Sequence, residues 1–222
     1  MISRLHYITQ DLPDFSHSEL AEFACKGGAD WIQLRVKRPL SGSPPKGERD
    51  FFHEWLKIAQ ETKLVCLKYG AKLIINDNVQ IAKEISANGV HLGKDDMNPK
   101  EARKILGNNF IIGGSTNNME DVRRQMADGC DYIGVGPYRF TSTKEKLNPV
   151  LRLEGIKKIA EQFGKQIPMI AIGGIKLEDV ESLMQTSIHG VAVSSAINLS
   201  ENKIEATKKF KHELHELARI NL

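Results

Sequence analysis

Short apolar runs alternate with longer segments of helical spacing along the whole chain. The runs that predict strands are residues 5–9, 31–36, 73–76, 89–92, 110–114, 132–135, 169–172 and 190–193. Between them, segments such as 51–69 and 79–87 carry apolar residues at three- and four-residue spacing, which predicts amphipathic helices. This alternation is typical of repeated βα units around a parallel sheet.

Eight such units within 222 residues favour a closed (β/α)8 TIM barrel, of class α/β, over an open doubly wound sheet, which is the second choice. We therefore expect residues 1–222 to form a single barrel domain. A stretch rich in Pro, Gly and Ser, residues 39–47, follows the second predicted strand. Because barrels place their active sites on loops that follow strands, we interpret this stretch as a lid.

Composition excludes several classes of function. The chain has 31 Lys and Arg against 28 Asp and Glu, so no charge excess demands nucleic acid or a membrane as partner. The distant cysteines Cys25, Cys66 and Cys130 predict reduced thiols, and neither a signal peptide nor a membrane-spanning run is evident. We expect a cytoplasmic protein acting on small molecules, with a homodimer as the candidate assembly.

The second predicted strand has a polar face. Gln33, Arg35 and Lys37 alternate with apolar residues, so period two places all three on one side of the strand. Strands of a parallel barrel are covered on both faces, and buried cations need an anionic partner. That partner is either a phosphate-bearing ligand, which we favour, or a carboxylate of the barrel itself.

Carboxylates follow the next two strands. Asp77 ends the third strand, and Asp95 and Asp96 lie just beyond the fourth. Mg²⁺ takes oxygen ligands, commonly one or two carboxylates together with substrate phosphates, so Asp77 and Asp96 predict a Mg²⁺ site with Asp95 as the competitor. The alternative is that these aspartates cap the following helices. His91, within the fourth strand, is expected to be a packed strand histidine.

The segment after the sixth strand suits an anion. Thr141 and Thr143 offer hydroxyl donors and Lys144 adds a mobile positive charge. A solvated turn is the alternative. At the last two strand ends, Gly173–Gly174 and Ser194–Ser195 predict a phosphate site, because glycine permits close backbone approach and serine adds hydroxyls.

Ser115 ends the fifth predicted strand and has two interpretations. Its hydroxyl either holds a substrate at the rim or caps the helix that follows. Asn117 and Asn118 are equally suited to that cap, so the sequence does not decide between them.

Six motifs in this order, residues 33–37, 75–77, 89–96 with Ser115, 141–144, 171–175 and 190–195, resemble thiamine phosphate synthase. The resemblance covers residues 7–197 and implies a (β/α)8 transferase. Such an enzyme joins 4-amino-5-hydroxymethyl-2-methylpyrimidine diphosphate to a thiazole phosphate and releases diphosphate. It also implies a Mg²⁺ cofactor.

The resemblance assigns roles residue by residue. It implies that the pyrimidine diphosphate is bound by Gln33, Arg35, Lys37, Asn76, Ser115 and Lys144. It implies Mg²⁺ at Asp77 and Asp96, and the thiazole phosphate at Thr141, Thr143, Gly174, Ser194 and Ser195. Within these sets the catalytic residues are Arg35, Lys37, Ser115 and Lys144.

Two positions depart from the family pattern. Lys94 stands where the family usually has Gln, and either assists diphosphate binding or faces solvent; Asn78 stands where a charged residue is common. Two other functions remain open, a thiazole tautomerase that needs neither diphosphate nor Mg²⁺ and a non-catalytic phosphate-binding barrel. The set Arg35, Lys37, Asp77, Asp96 and Lys144 argues against the tautomerase, and the retained metal carboxylates argue against the non-catalytic barrel.

Overall fold

The computed structural model describes residues 1–37, 48–140 and 149–220. Over these residues eight strands form a closed parallel barrel in chain order, each pairing with the next and the last with the first. The strands are β1 Leu5–Ile8, β2 Trp31–Leu34, β3 Lys72–Asn76, β4 Gly89–Leu92, β5 Ile111–Thr116, β6 Tyr132–Val135, β7 Met169–Ile172 and β8 Gly190–Val193. The predicted TIM barrel is confirmed, and the open sheet is wrong.

Helices follow the strands around the outside. They are α1 His17–Lys26, α2 Glu48–Tyr69, α3 Val79–Glu84, α4 Pro99–Leu106, α5 Met119–Ala127, α6 Arg152–Phe163, α7 Val180–Met184, α8 Ser195–Asn198 and α9 Lys203–Ile220, with a 3₁₀ turn at Leu177–Asp179. Among the described residues, no helix combines the length and apolarity needed to cross a bilayer. The predicted lid, residues 39–47, lies outside the described residues.

Two strands end at residues other than those predicted. Strand β2 stops at Leu34, two residues early, because the Arg35 N–H donates to Thr9 Oγ at 3.0 Å instead of a strand partner. Strand β5 runs on to Thr116, which pairs with Val135 of β6. Ser115 therefore lies within the barrel wall rather than beyond it.

An apolar plug closes the barrel interior below the mouth. It contains Trp31, Ile74, Tyr132 and Ile170, each at most 1 % exposed. Full burial of one such side chain stabilises the fold by about 1.5–3 kcal/mol. Glycine makes room for the largest members: a Cβ on Gly113 would lie 2.1 Å from the Tyr132 ring. The plug leaves the mouth as the open end of the barrel.

Asparagines cap the helices that follow the site strands. Asn78 caps α3, Asn98 caps α4 and Asn118 caps α5, each accepting a backbone N–H with its side chain. The alternative in which Asp77, Asp96 or Ser115 fills these cap positions is therefore wrong. Those side chains are left for other partners at the barrel mouth.

Candidate active site

A cavity of about 280 Å³ occupies the carboxyl-terminal mouth of the barrel. Every strand contributes to its wall or floor, including Ile8 of β1, His91 of β4 and Ala192 of β8. This is the end at which barrel enzymes carry their chemistry, since the strand ends and the loops after them converge there.

Most of the predicted site residues surround this one cavity. The lining includes Gln33, Arg35, Asn76, Asp77, Asp96, Ser115, Gly174, Ser194 and Ser195. Lys37 is exposed at the rim and is not among the lining residues. Thr141, Thr143 and Lys144 lie outside the described residues.

The acidic side of the mouth has an unusual backbone. Asp77 is exposed and adopts a φ of 66°, a left-handed conformation that costs a non-glycine residue free energy, while its N–H donates to the His91 carbonyl at 2.8 Å. Strain of this kind persists where the surrounding structure enforces it. The turn fixes the Asp77 carboxylate at the rim.

Asp96 lies on the loop after β4. Its Oδ2 accepts the Gly93 N–H at 2.6 Å, and Asp95 beside it also lines the cavity. In the described parts of the chain no group of three or more His, Cys, Asp and Glu is arranged to hold a metal. Two carboxylates on one cavity fit Mg²⁺, which takes its remaining ligands from substrate phosphates and water.

An amide pair lines the wall between β2 and β3. Gln33, only 3 % exposed, donates from Nε2 to Asn76 Oδ1 at 2.7 Å. This bond orients Asn76, because its oxygen is occupied and its NH₂ group is the part left to donate toward the cavity.

A hydrogen-bonded chain supports Ser115 from inside the barrel. His91, 5 % exposed, has Nδ1 3.0 Å from the Tyr132 hydroxyl and Nε2 3.0 Å from Ser115 Oγ. Burial raises the pKa of Tyr132 well above its ordinary value, so its hydroxyl stays protonated. The direction of this chain follows from the His91 tautomer: in the tautomer with its hydrogen on Nε2, Tyr132 donates to Nδ1 and the Nε2–H donates to Ser115 Oγ, which leaves the Ser115 hydrogen for the cavity. His91 is packed as expected, but its support of Ser115 was not predicted.

The glycines after β7 lie against the segment after β6. Gly173 and Gly174 have φ of 104° and 66°, and a Cβ on Gly174 would lie 2.5 Å from Arg139 Cγ. Arg139 donates its N–H to the Gly173 carbonyl at 3.0 Å and pairs with the buried Asp179 at 2.7 Å. These contacts hold the segment after β6 against the glycines as far as Arg139.

Ser194 is held by a residue of the helix that follows it. The Asn198 side-chain NH₂ donates to Ser194 Oγ at 3.1 Å and to the Ile8 carbonyl at 2.8 Å, and its oxygen accepts from the Tyr7 hydroxyl. Asn198 is 1 % exposed. Its supporting role was missed, although an Asn four residues after Ser194 on an otherwise apolar turn was the available signal.

Lys94 does not simply face solvent, and a role in diphosphate binding stays a prediction. It lines the cavity, but its ammonium pairs with Asp121, a buried carboxylate on α5 that also accepts the Asn117 N–H at 3.0 Å. Asn117 in turn donates to the Pro149 carbonyl at 2.8 Å. Lys94 therefore fastens the loop of Asp96 to the next unit of the barrel.

Asp11 is a carboxylate close enough to Arg35 for the two charges to interact. Burial alone would raise the pKa of Asp11, but hydrogen bonds from His17 and from the Lys37 N–H, together with the Arg35 charge, hold that pKa below its ordinary value. Asp11 thus accepts the Lys37 main-chain N–H and interacts with the Arg35 charge, while Arg35 lines the cavity. The choice between an internal carboxylate and a phosphate-bearing ligand as partner of the two cations stays a prediction.

Comparison with known proteins connects this geometry to a family. The family model described as thiamine monophosphate synthase matches residues 5–197. A thiamine-phosphate synthase from Flavobacterium johnsoniae is 43% identical over 97% of this chain and 98% of its own length. One from Bacteroides fragilis is 44% identical over 92% of this chain and 97% of its own length.

Comparison with solved structures leads to the same family. A thiamine phosphate pyrophosphorylase from Pyrococcus furiosus superposes with a TM-score of 0.81 at 30% identity, covering 96% of both chains. A 3-hexulose-6-phosphate synthase gives a TM-score of 0.65 at 15% identity, and this likeness concerns the fold alone.

Proposed function

The chain belongs to the thiamine monophosphate synthase family, and on that premise we propose how its barrel mouth divides the work of the reaction. The reaction joins the pyrimidine diphosphate to the thiazole phosphate and releases diphosphate, giving thiamine phosphate. One observation carries the proposal. A single cavity has amides and carboxylates on the β2–β4 side, and glycines together with serine hydroxyls on the β7–β8 side.

The β2–β4 side suits the pyrimidine diphosphate. Arg35 grips phosphate oxygens through two parallel N–H bonds, and the oriented Asn76 amide adds a donor. Lys37 at the rim and Lys144 complete the positive charge around the diphosphate. Gln33, buried beneath, holds Asn76 at 2.7 Å and so fixes the geometry of this side.

Asp77 and Asp96 would hold Mg²⁺ on this side of the cavity. When bound, the ion supplies Lewis-acid stabilisation of the negative charge that grows on the departing diphosphate. The two carboxylates follow neighbouring strands: the Asp77 main chain is held by the His91 carbonyl of β4, and the Asp96 carboxylate by the Gly93 N–H of its own loop.

The β7–β8 side suits the thiazole phosphate. Ser194 and Ser195 supply hydroxyls, and Gly174 lets the backbone approach the phosphate closely. We assign Thr141 and Thr143, as hydroxyl donors, to the same phosphate.

Two electron pairs move in the reaction, one from the bond that breaks and one into the bond that forms. The bond between the pyrimidine methylene carbon and the bridging oxygen breaks, and its electrons leave with diphosphate. The thiazole nitrogen then uses its lone pair to form the new C–N bond, so the positive charge ends on the thiazolium ring. Ser115, oriented by His91, holds the pyrimidine, while Arg35, Lys37 and Lys144 stabilise the leaving charge.

Diphosphate release tests the proposal. The wild-type protein is mixed with both substrates, with and without Mg²⁺, and diphosphate and thiamine phosphate are measured together. Equal amounts of both products that depend on Mg²⁺ are expected. Proton exchange on a thiazole carboxylate phosphate without any product would instead show a tautomerase, and binding without turnover would show a non-catalytic barrel.

We also propose where the enzyme is located, the cytoplasm, and that it assembles as a homodimer. Both substrates are small phosphorylated molecules, and the balanced charge of the chain suits the cytoplasm. Cell fractionation tests that location, and light scattering of the purified protein tests whether it forms a homodimer.

A further inference from the structure

A buried polar network lies beyond the end of β1, outside the cavity. His17, the first residue of α1, is 1 % exposed and bonds through both ring nitrogens. Its Nδ1 lies 2.8 Å from Thr9 Oγ and its Nε2 lies 3.1 Å from Asp11 Oδ1. Neither Thr9 nor His17 is among the residues lining the cavity, so the network does not itself contact a bound substrate.

The outer ends of the network hold the main chain that leaves β2. Thr9 Oγ accepts the Arg35 N–H at 3.0 Å, and Asp11 Oδ2 accepts the Lys37 N–H at 3.1 Å. These two amides belong to the two cations proposed to bind the diphosphate. The pairing of β2 with β3 ends at Leu34, so beyond that residue the side chains of Thr9 and Asp11 hold the segment in place of strand pairing.

The network has a rigid base. Ser16 and Glu19 form a reciprocal capping box at the start of α1, which fixes the backbone that carries His17. Thr9 is fully buried, and its N–H donates to the Gln33 carbonyl at 3.0 Å. The imidazole therefore joins a capped helix to the end of a strand, and little freedom remains for the segment they hold.

We propose that Thr9, Asp11 and His17 are positioning residues that set the path of residues 35–37 and thereby aim Arg35 and Lys37 at the pyrimidine diphosphate. The inference rests on the proposed function of that side of the cavity. A charged side chain contributes most when its backbone is already in place, because ordering it no longer opposes binding.

Thr9 offers a matched set of variants. Thr9→Val keeps the shape but removes the oxygen that accepts the Arg35 N–H, whereas Thr9→Ser keeps that oxygen. Thr207→Val is the control, since Thr207 is equally buried but bonds only to Lys203 within α9. Steady-state KM values for both substrates and amide hydrogen exchange at residues 35 and 37 are measured for each protein, after wild-type turnover has been established.

Thr9→Val is expected to raise the KM for the pyrimidine diphosphate roughly 5- to 10-fold, as for one lost hydrogen bond, and to leave the KM for the thiazole phosphate within about twofold. Amide exchange at Arg35 should become faster. Thr9→Ser should restore both values, and Thr207→Val should lower only the melting temperature.

Two results overturn the proposal: equal increases in both KM values, or an unchanged exchange rate at Arg35. If Thr9→Val does not fold, Asp11→Ala, which changes a partly exposed side chain, decides by the same readouts with Lys37 as the reporting amide. The exchange measurement needs no turnover, so it separates failure of this inference from failure of the proposed reaction.

Discussion

Gly93→Ala is the sharpest perturbation that the acidic side of the mouth offers. A Cβ at Gly93 would lie 2.7 Å from Asp96 Oδ2, well inside the 3.4 Å at which ordinary van der Waals contact begins. The atom it meets is the far end of a flexible side chain, and Gly93 is not among the residues with positive φ. The added methyl group therefore displaces the Asp96 carboxylate without straining the backbone.

The expected change in Mg²⁺ dependence follows from this geometry. The carboxylate has to move by about 0.7 Å, and a misplacement near 1 Å costs on the order of 10²-fold in a preorganised site. We expect the Mg²⁺ concentration for half-maximal activity to rise about 10- to 100-fold. Stability should change by no more than about 1 kcal/mol, because the gain of about 0.4–1 kcal/mol from Gly→Ala is offset by the weakened hydrogen bond from the Gly93 N–H to Asp96, worth about 0.5–1.5 kcal/mol.

The assay is a Mg²⁺ titration of diphosphate release, run beside thermal unfolding. Gly70→Ala is the control, because a Cβ there meets no atom within 4 Å but the residue has a φ of 68°. It should lose about 1–2 kcal/mol of stability and keep its Mg²⁺ dependence. A Gly93→Ala enzyme with wild-type Mg²⁺ dependence would remove Asp96 from the metal site and make Asp95 the residue to test.

Three further outcomes are expected. Arg35→Ala should weaken binding of the pyrimidine diphosphate about 10- to 100-fold in calorimetry, and Arg35→Lys should not fully restore it; loss of thiazole phosphate binding instead would contradict the division of the mouth. Ser194→Ala should show the opposite preference, weakening thiazole phosphate binding by roughly 1.5–3 kcal/mol, and equal losses for both substrates would refute it. Tyr132→Phe should destabilise the protein by about 1–3 kcal/mol, because His91 Nδ1 loses its partner, and unfolding measurements that match the wild type would show that the nitrogen is satisfied elsewhere.

The fold was predictable because short, largely apolar runs recur eight times and alternate with segments of helical spacing. The alternation at Gln33 and Arg35 also indicated which side chains turn toward the interior, since side-chain direction in a strand depends only on sequence parity. The helix caps were not predictable, because Asp, Ser and Asn all suit that position and only the local geometry selected Asn78 and Asn118.

The supporting residues escaped prediction for a different reason. His91 is a single polar residue in a strand, and its partners Ser115 and Tyr132 belong to β5 and β6. A one-dimensional pattern carries periodicity but no pairing between distant positions, so this contact appears only once the strands pair in the barrel. Asn198 and His17 bond nearer in sequence, to Ser194 and Thr9, but polar residues near a helix start are common and the pattern alone does not assign their partners.

Closure of the barrel also explains why the residues that support the site are polar and hydrogen-bond to one another. Between the apolar plug and the open mouth, polar side chains are buried, and a buried polar group without a partner costs about 1–3 kcal/mol. Gln33 meets this requirement by bonding to Asn76, and His91 by bonding to Ser115 and Tyr132. The same bonds that make burial tolerable fix the donors at the rim, so substitutions beneath the rim should cost both stability and activity. Substitutions of residues exposed in the cavity, such as Asp77, should cost activity alone.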